Sequence, residues 1–107
     1  MTDAENHEGS AQEQILTDAD AAFRVSARRN RLLAHWAAEK MELTPEETAA
    51  YSKAVIQSDF EGAGDEDVIR KVLGDLIAAG CDVEQAGVRA ALEEKSVEAR
   101  RQLMGES

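Results

Sequence analysis

The chain has 107 residues and a formal net charge of −10 at pH 7, a size that allows one domain with a sizeable core but not two. Hydrophobic residues make up 43% of it and aromatic residues only 4%, so the core must consist mostly of Ala, Leu, Val and Ile, which favours helices. The chain has no apolar run of about 18 residues, which argues against a membrane span, and its acidic, polar start does not resemble a signal peptide.

The first element in chain order is a polar arm, residues 1–17. It is acidic, contains glycine and serine, and shows no apolar periodicity. Such a segment cannot bury enough surface to offset the entropy lost on ordering, so we expect it to be disordered in the free protein. It is either a frayed terminus or an arm that folds on a partner.

Four helices joined by short turns are predicted after the arm, over about residues 18–41, 45–59, 65–79 and 82–103. No β-alternation or hairpin signal occurs in the sequence. The sequence therefore predicts an all-α fold, a four-helix bundle formed by residues 18–107 with a flexible N-terminal arm.

Capping signals define the helix boundaries. Thr44 and Glu47 form a capping box around Pro45, which suits the first helical position. Asp65 is expected to cap the third helix, and Gly80 is expected to end it in the left-handed conformation. The first helix can be capped by Thr17 or Asp18, and a capping-box-like pair, Asp82 and Gln85, predicts the start of the fourth.

Apolar stripes at helical spacing predict the core. The stripe of the third helix is the clearest, with members at i, i+3, i+4 and i+7: Ile69, Val72, Leu73, Leu76 and Ile77. The fourth helix has a thinner stripe, so it is expected to cover the core: Val88, Leu92, Ser96, Ala99 and Leu103.

The sequence offers no complete metal or catalytic motif. SDFEGAGDED superficially resembles a calcium loop that starts at Asp59, but Ala63 falls at its fifth position and Arg70 at its twelfth, which requires glutamate. The single cysteine, Cys81, excludes an internal disulfide and is typical of a reducing cytoplasm. No phosphate loop or nucleophile elbow is present, so we predict no catalytic residue, no metal, no cofactor and no enzyme activity.

Positive charge is concentrated on the first helix. Residues 24–40 hold five basic side chains and one acidic one, between acidic segments on either side. This balance argues against bare nucleic acid as a partner. At about 100° per residue, three arginines and a histidine share one polar stripe: Arg24, Arg28, Arg31 and His35.

Two further polar residues of this helix, Arg29 and Asn30, project from within its apolar arc. Arg29 lies two turns before Trp36, so its guanidinium could stack on the indole ring. In one interpretation the arginines pair with the acidic segment 42–67, while Arg29 and Asn30 tie helix ends together by hydrogen bonds. In the other, some of these side chains contact a partner. Composition alone leaves both open.

Two long motifs stand in order along the chain, SARRNRLLAHWAAEKM and SDFEGAGDEDVIRKV. From about Thr17 onward the sequence closely resembles the zeta-type inhibitor subunit of bacterial rotary ATP synthases. The resemblance implies a four-helix bundle that docks on the catalytic head of the synthase, where its partners are the α, β and γ subunits. It also implies an N-terminal segment that becomes helical inside a catalytic interface and blocks rotation in the hydrolysis direction.

The resemblance assigns roles to individual residues. It implies that Arg29, Asn30 and Trp36 hold the stem of the arm to the bundle. The arm of the family carries an Asp-Arg-Glu motif and a Lys-Phe pair, whereas here Gln14 and Ile15 stand in place of that pair. Contacts with the synthase are expected from eight residues: Gln14, Ile15, Leu16, Asp18, Phe23, Arg24, Arg28 and Arg31.

Other functions remain open beside inhibition. A synthase-bound subunit with a degenerate, poorly inhibitory arm is one. A regulatory bundle that binds ATP or ADP weakly is another, with Arg28 and Arg31 on the phosphates and Trp36 against the base; no glycine cradle accompanies them. We expect a monomer when free, cytoplasmic and peripheral to the inner membrane through the synthase, without direct membrane insertion.

Overall fold

A computed structural model describes the backbone of residues 2–61 and 64–103 and the side chains of residues 20–59 and 64–103. The described part contains no strand. It forms four helices, α1 (Thr2–Met41), α2 (Pro45–Glu61), α3 (Asp65–Ala78) and α4 (Gln85–Leu103). The predicted all-α, four-helix architecture is confirmed.

Helix α1 is much longer than the others and sets the length of the molecule. Its 40 residues span about 60 Å at 1.5 Å per residue, and the longest axis of the chain measures 63 Å. Because α2, α3 and α4 have only 17, 14 and 19 residues, the N-terminal part of α1 extends past them as an arm.

The start of α1 differs from the prediction. The helix begins at Thr2, well before the predicted start near Asp18. No proline interrupts residues 2–41, so the backbone can continue the helix through the polar segment. That residues 1–17 are disordered in the free protein stays a prediction.

Apolar side chains from all four helices meet in one core. The largest of them are fully buried, which stabilises the fold by about 1.5–3 kcal/mol for each large side chain. The described core cluster consists of Leu33, Ala34, Ala37, Val55, Val68, Ile69, Val72, Leu76, Val88, Ala91 and Leu92.

One member of the predicted stripes is exposed, and one large core residue lies outside them. Leu33 of α1 is fully buried and belongs to neither predicted stripe. Ile77 is 57% exposed, because α3 packs through Val72 and Leu76 and the side chain one position later points about 100° away from that face.

Two predicted helix signals are confirmed. The amide of Glu47 donates to Oγ1 of Thr44 over 3.1 Å, and the amide of Thr44 donates to Oε1 of Glu47 over 2.8 Å, which completes the capping box before α2. Gly80 follows α3 with φ of 86°, and the amide of Cys81 donates to the carbonyl of Leu76 over 2.9 Å.

Two predicted caps are wrong. The N-cap of α3 is Gly64, which has no side chain to accept a hydrogen bond from the first amides of the helix, while Asp65 occupies the first helical position and accepts a hydrogen bond from Arg29 instead. Helix α4 begins at Gln85 rather than Asp82. The carbonyl of Glu84 accepts its first amides, so the residues from Asp82 onward form a connection before the helix.

Candidate functional site

A buried polar network lies on α1 where the arm joins the bundle. Arg29 is 9% exposed and Asn30 is 1% exposed. Nε of Arg29 donates to Oδ1 of Asn30 over 3.0 Å, and Nδ2 of Asn30 donates to Oδ2 of Asp59 over 3.0 Å. The guanidinium also reaches Oδ1 of Asp65 at 3.0 Å and Oδ2 of Asp59 at 3.5 Å.

This network ties three helices together. Asp59 is near the end of α2 and Asp65 is the first residue of α3, so one guanidinium on α1 holds both sides of the intervening turn. A buried cation is costly unless it is paired and hydrogen-bonded, which explains why Arg29 faces two carboxylates. Of the two interpretations of Arg29 and Asn30, the geometry shows hydrogen bonding between helix ends.

The stacking of Arg29 on Trp36 that the sequence allows is not found. Nζ of Lys40 lies 5.0 Å from the centroid of the Trp36 ring, whereas the guanidinium of Arg29 is directed to the carboxylates of α2 and α3. Trp36 is half-buried and packs against the core. It therefore supports α1 from its flank through packing.

The arginines of the polar stripe have different partners. Nη2 of Arg24 lies 2.7 Å from Oδ2 of Asp20 on the same exposed face. Nη1 of Arg28 donates to Oε1 of Gln102 over 2.8 Å, which joins α1 to α4. Arg31 is exposed and forms no ion pair with any carboxylate whose side chain the structure describes. Among the described side chains, the arginines of the polar stripe form no ion pair with the acidic segment 42–67.

Two adjoining cavities lie beside this stripe, and together we name them the arm-base groove. The first has a volume of about 230 Å³ and includes Asn30 and Asp59 in its lining, and the second has a volume of about 170 Å³. Both are lined by Phe23, Ala27 and Ile56. The second is completed by Leu103 and the three arginines of the stripe.

The structure brings together only part of the predicted partner-binding set. Phe23, Arg24, Arg28 and Arg31 all line the second cavity of the arm-base groove. The predicted contacts of the arm lie outside the described side chains, and they stay predictions: Gln14, Ile15, Leu16 and Asp18.

Sequence reasoning missed Ile56 as a member of this site. Ile56 follows the buried Val55 on α2 and is half-buried, so it lies at the edge of the apolar stripe of that helix. Its only signal in the sequence was a large apolar side chain at the edge of a stripe. That Ile56 lines the arm-base groove follows from the approach of α1 to α2.

The residues predicted to hold a nucleotide line different cavities. Arg28 and Arg31 line the arm-base groove, whereas Trp36 lines a separate open cavity of about 620 Å³ with His35 and Lys95. Weak binding of ATP or ADP stays a prediction. Among the described residues no group of histidine, cysteine and carboxylate side chains could hold a metal ion.

Shifted pKa values mark contacts between helices away from this groove. Burial and the hydrogen bond to Asp75 raise the pKa of Tyr51 well above its usual range, at a contact between α2 and α3. The hydrogen bond from Arg89 lowers the pKa of Glu66, and the same pair raises the pKa of Arg89. These groups hold helices together, and none lines the groove.

No described helix has a stretch apolar and long enough to cross a bilayer. A family model described as ATPase inhibitor subunit zeta matches residues 1–102. A protein solved by solution NMR is 45% identical to the chain, with a TM-score of 0.68, and the match covers 79% of this chain and 96% of that one. No curated protein matches.

Proposed function

Because the chain belongs to the ATPase inhibitor subunit zeta family, we propose that it is a non-enzymatic inhibitor subunit of ATP synthase. It binds the catalytic head, formed by α, β and γ subunits, and blocks ATP hydrolysis by inserting its N-terminal segment into a catalytic interface. The subunit lies at the membrane only through the synthase. This mechanism is steric and requires neither a catalytic group nor a cofactor of its own.

The observation that carries the proposal is the anchoring of one long helix. Helix α1 continues from the arm into the bundle without a break, and the pairing of Arg29 with Asp59 and Asp65 fixes it to α2 and α3. A helix held in this way transmits force along its length. An inserted arm can therefore resist displacement by a moving rotor only as firmly as the bundle holds its base.

Charge supports an orientation for docking. The described base of the arm presents Arg24, Arg28 and Arg31 in a chain that is otherwise strongly acidic. A localised basic surface steers association with an acidic one and fixes its register. We propose that this face meets acidic surface on the head, so that docking directs the arm toward the interface it enters.

The composition of the arm leaves a second version of this function. Gln14 and Ile15 differ from the Lys-Phe pair of the family arm, and residues 1–23 contain no lysine or arginine. In this version the chain binds the head through its bundle but slows hydrolysis weakly.

A titration tests the proposal and separates the two versions. Purified full-length chain is added to the catalytic head of the same organism while binding and ATP hydrolysis are both measured. The inhibitor version predicts that hydrolysis falls in step with binding. Saturated binding with hydrolysis unchanged supports the weakly inhibitory version, and absence of binding at excess chain overturns the proposal.

A further inference from the structure

We infer that the arm-base groove is a docking site for a helix of the catalytic head that carries acidic side chains next to one large apolar side chain. The inference rests on the proposed function. It specifies which part of the folded bundle contacts the catalytic head and what chemistry the contacted surface of the head has.

The size of the groove suits side chains rather than a whole segment. Its two cavities measure about 230 and about 170 Å³, and a space of about 150 Å³ is enough for a benzene-sized group. Each cavity can therefore accept one side chain the size of leucine or phenylalanine. Both cavities are lined by Ala27 and Ile56, so one large apolar side chain of a partner can enter over these two residues.

The floor of the groove is apolar and comes from three helices. Ala27, Ile56 and Leu103 lie on α1, α2 and α4 and are each half-buried. Covering such surface contributes about 25 cal/mol for each Å² of apolar area removed from water. Because these side chains sit on packed helices, little conformational entropy is lost when a partner binds.

The rim of the second cavity is basic. Arg24, Arg28 and Arg31 line it with the spacing i, i+4 and i+7, and no carboxylate among the described side chains lines it. Arg28 bonds a neutral amide, and Arg31 forms no ion pair with a described carboxylate, whereas the carboxylate of Asp20 at 2.7 Å offsets part of the charge of Arg24. The rim therefore keeps a positive charge in the free protein.

The acidic group that the described side chains contribute to the groove does not cancel this charge. Asp59 lines the first cavity, but its carboxylate is already engaged by the guanidinium of Arg29 and the amide of Asn30. The charge offered to a partner is consequently that of the rim arginines, mainly Arg28 and Arg31, because Asp20 offsets part of the charge of Arg24.

These features select one occupant. The three arginines lie along about 10 Å of α1, so a helix packed beside α1 with carboxylates one and two turns apart matches them in spacing and sign. An apolar side chain on the same face then enters the cavity over Ile56. A second copy of this chain fits poorly, since each copy carries a net charge of −10 and two copies repel each other.

The test compares substitutions inside the groove with matched substitutions outside it, in the full-length chain. Arg31→Glu reverses an exposed charge on the rim, and Arg70→Glu makes the same change at a 75% exposed side chain of α3. Ile56→Asp places a charge on the floor, and Ile77→Asp does so at an isoleucine that is 57% exposed. Circular dichroism and thermal melting check that each variant is folded.

The dissociation constant for the purified head and the residual hydrolysis at saturation are then measured separately. We expect Arg31→Glu and Ile56→Asp to weaken binding about tenfold or more, which corresponds to about 1.4 kcal/mol, while both still inhibit fully at saturation. The two controls should bind within about twofold of the unaltered chain. Higher salt should weaken the unaltered chain more than Arg31→Glu, because salt screens exposed charges.

Three results would overturn the inference. If the unaltered chain inhibits and both groove variants bind like their controls, the groove is not the docking site, although the proposed function stands. If sedimentation shows that the chain is a dimer which the groove variants dissociate without loss of binding to the head, the occupant is a second copy. If the unaltered chain does not bind the head at all, the inference and the proposed function both fail. If Ile56→Asp does not fold, the comparison of Arg31→Glu with its control Arg70→Glu decides whether the groove is the docking site.

Discussion

Nη1 of Arg29 lies 3.0 Å from Oδ1 of Asp65, although 36 residues separate the two along the chain. Arg29 belongs to the long helix that carries the arm, and Asp65 begins α3. The contact joins the base of the arm to the turn between α2 and α3, so the stability of the bundle and the rigidity of the arm depend on the same side chain.

Removal of Arg29 should destabilise the bundle. Arg29→Ala leaves the carboxylate of Asp59 partly buried without its cation, and we expect a loss of about 2 kcal/mol in the free energy of unfolding. The loss is smaller than for a fully buried pair, because the side chain of Asp65 is 58% exposed. The control is Arg24→Ala, whose pair is exposed and should contribute less than about 0.5 kcal/mol. Urea unfolding measures both, and equal losses would contradict the buried network.

Tyr51 should resist ionisation in the folded protein. Its hydroxyl donates to Oδ2 of Asp75 over 2.8 Å, and burial together with this bond raises its pKa. Because Tyr51 is the only tyrosine, ultraviolet titration reports it directly. We expect no phenolate signal from the folded chain as the pH rises past about 10, the ordinary tyrosine value.

The same shift makes a prediction for stability at high pH. Above about pH 10 the unfolded chain loses the phenolic proton while the folded chain keeps it, so the stabilisation present at lower pH decreases as the pH rises. Tyr51→Phe should unfold more easily at neutral pH and show a shallower decrease above about pH 10. Identical slopes for the two proteins in chemical unfolding would argue against the shift.

Two glycines should respond in opposite directions to alanine. Gly80 has φ of 86°, which costs an alanine about 1 kcal/mol. Gly74 lies inside α3, and a Cβ there meets no described atom beyond its chain neighbours and its own helix backbone within 4 Å, so Gly74→Ala should stabilise the helix by up to about 1 kcal/mol. Thermal melting of the two variants measures the difference. A rise in melting temperature for Gly80→Ala would contradict the left-handed backbone conformation of Gly80 at the end of α3.

Ser52 should be replaceable with a gain in stability. Its hydroxyl is buried, and Ser52 is 6% exposed, with no hydrogen bond to the described part of the chain. We expect Ser52→Ala to raise the free energy of unfolding by about 1 kcal/mol. Ser58→Ala, at a half-exposed position of the same helix, controls for the helix preference of alanine and should raise it by less. A loss of stability for Ser52→Ala would show that the hydroxyl has a partner.

The sequence predicted those features of the fold that depend on neighbours along one helix. The Thr44 and Glu47 box and the glycine after α3 are determined by local backbone geometry, which is why both are confirmed. The positions of Arg29 and Asn30 within an apolar arc made hydrogen bonding between helix ends one of two interpretations, but did not decide between them.

Features that depend on the meeting of different helices could not be predicted in this way. Asp65 has the chemistry of a cap, but the approach of α1 offers its carboxylate a guanidinium, and the charged bond is the stronger one. Lys40 rather than Arg29 covers Trp36, because Arg29 faces two carboxylates that are distant in sequence. For the same reason Ile56 was not recognised as part of the groove.

The central claim is that the arm, and not the bundle, blocks hydrolysis. It is tested most directly by comparing hydrolysis by the saturated catalytic head with the full-length chain and with a chain that lacks residues 1–16, after circular dichroism has shown that the shortened chain is helical. A second variant, Ile15→Glu, keeps the full length. The account predicts that the shortened chain still binds the head and no longer slows hydrolysis, and that Ile15→Glu inhibits less than the unaltered chain. Equal inhibition by the full-length and shortened chains would contradict it.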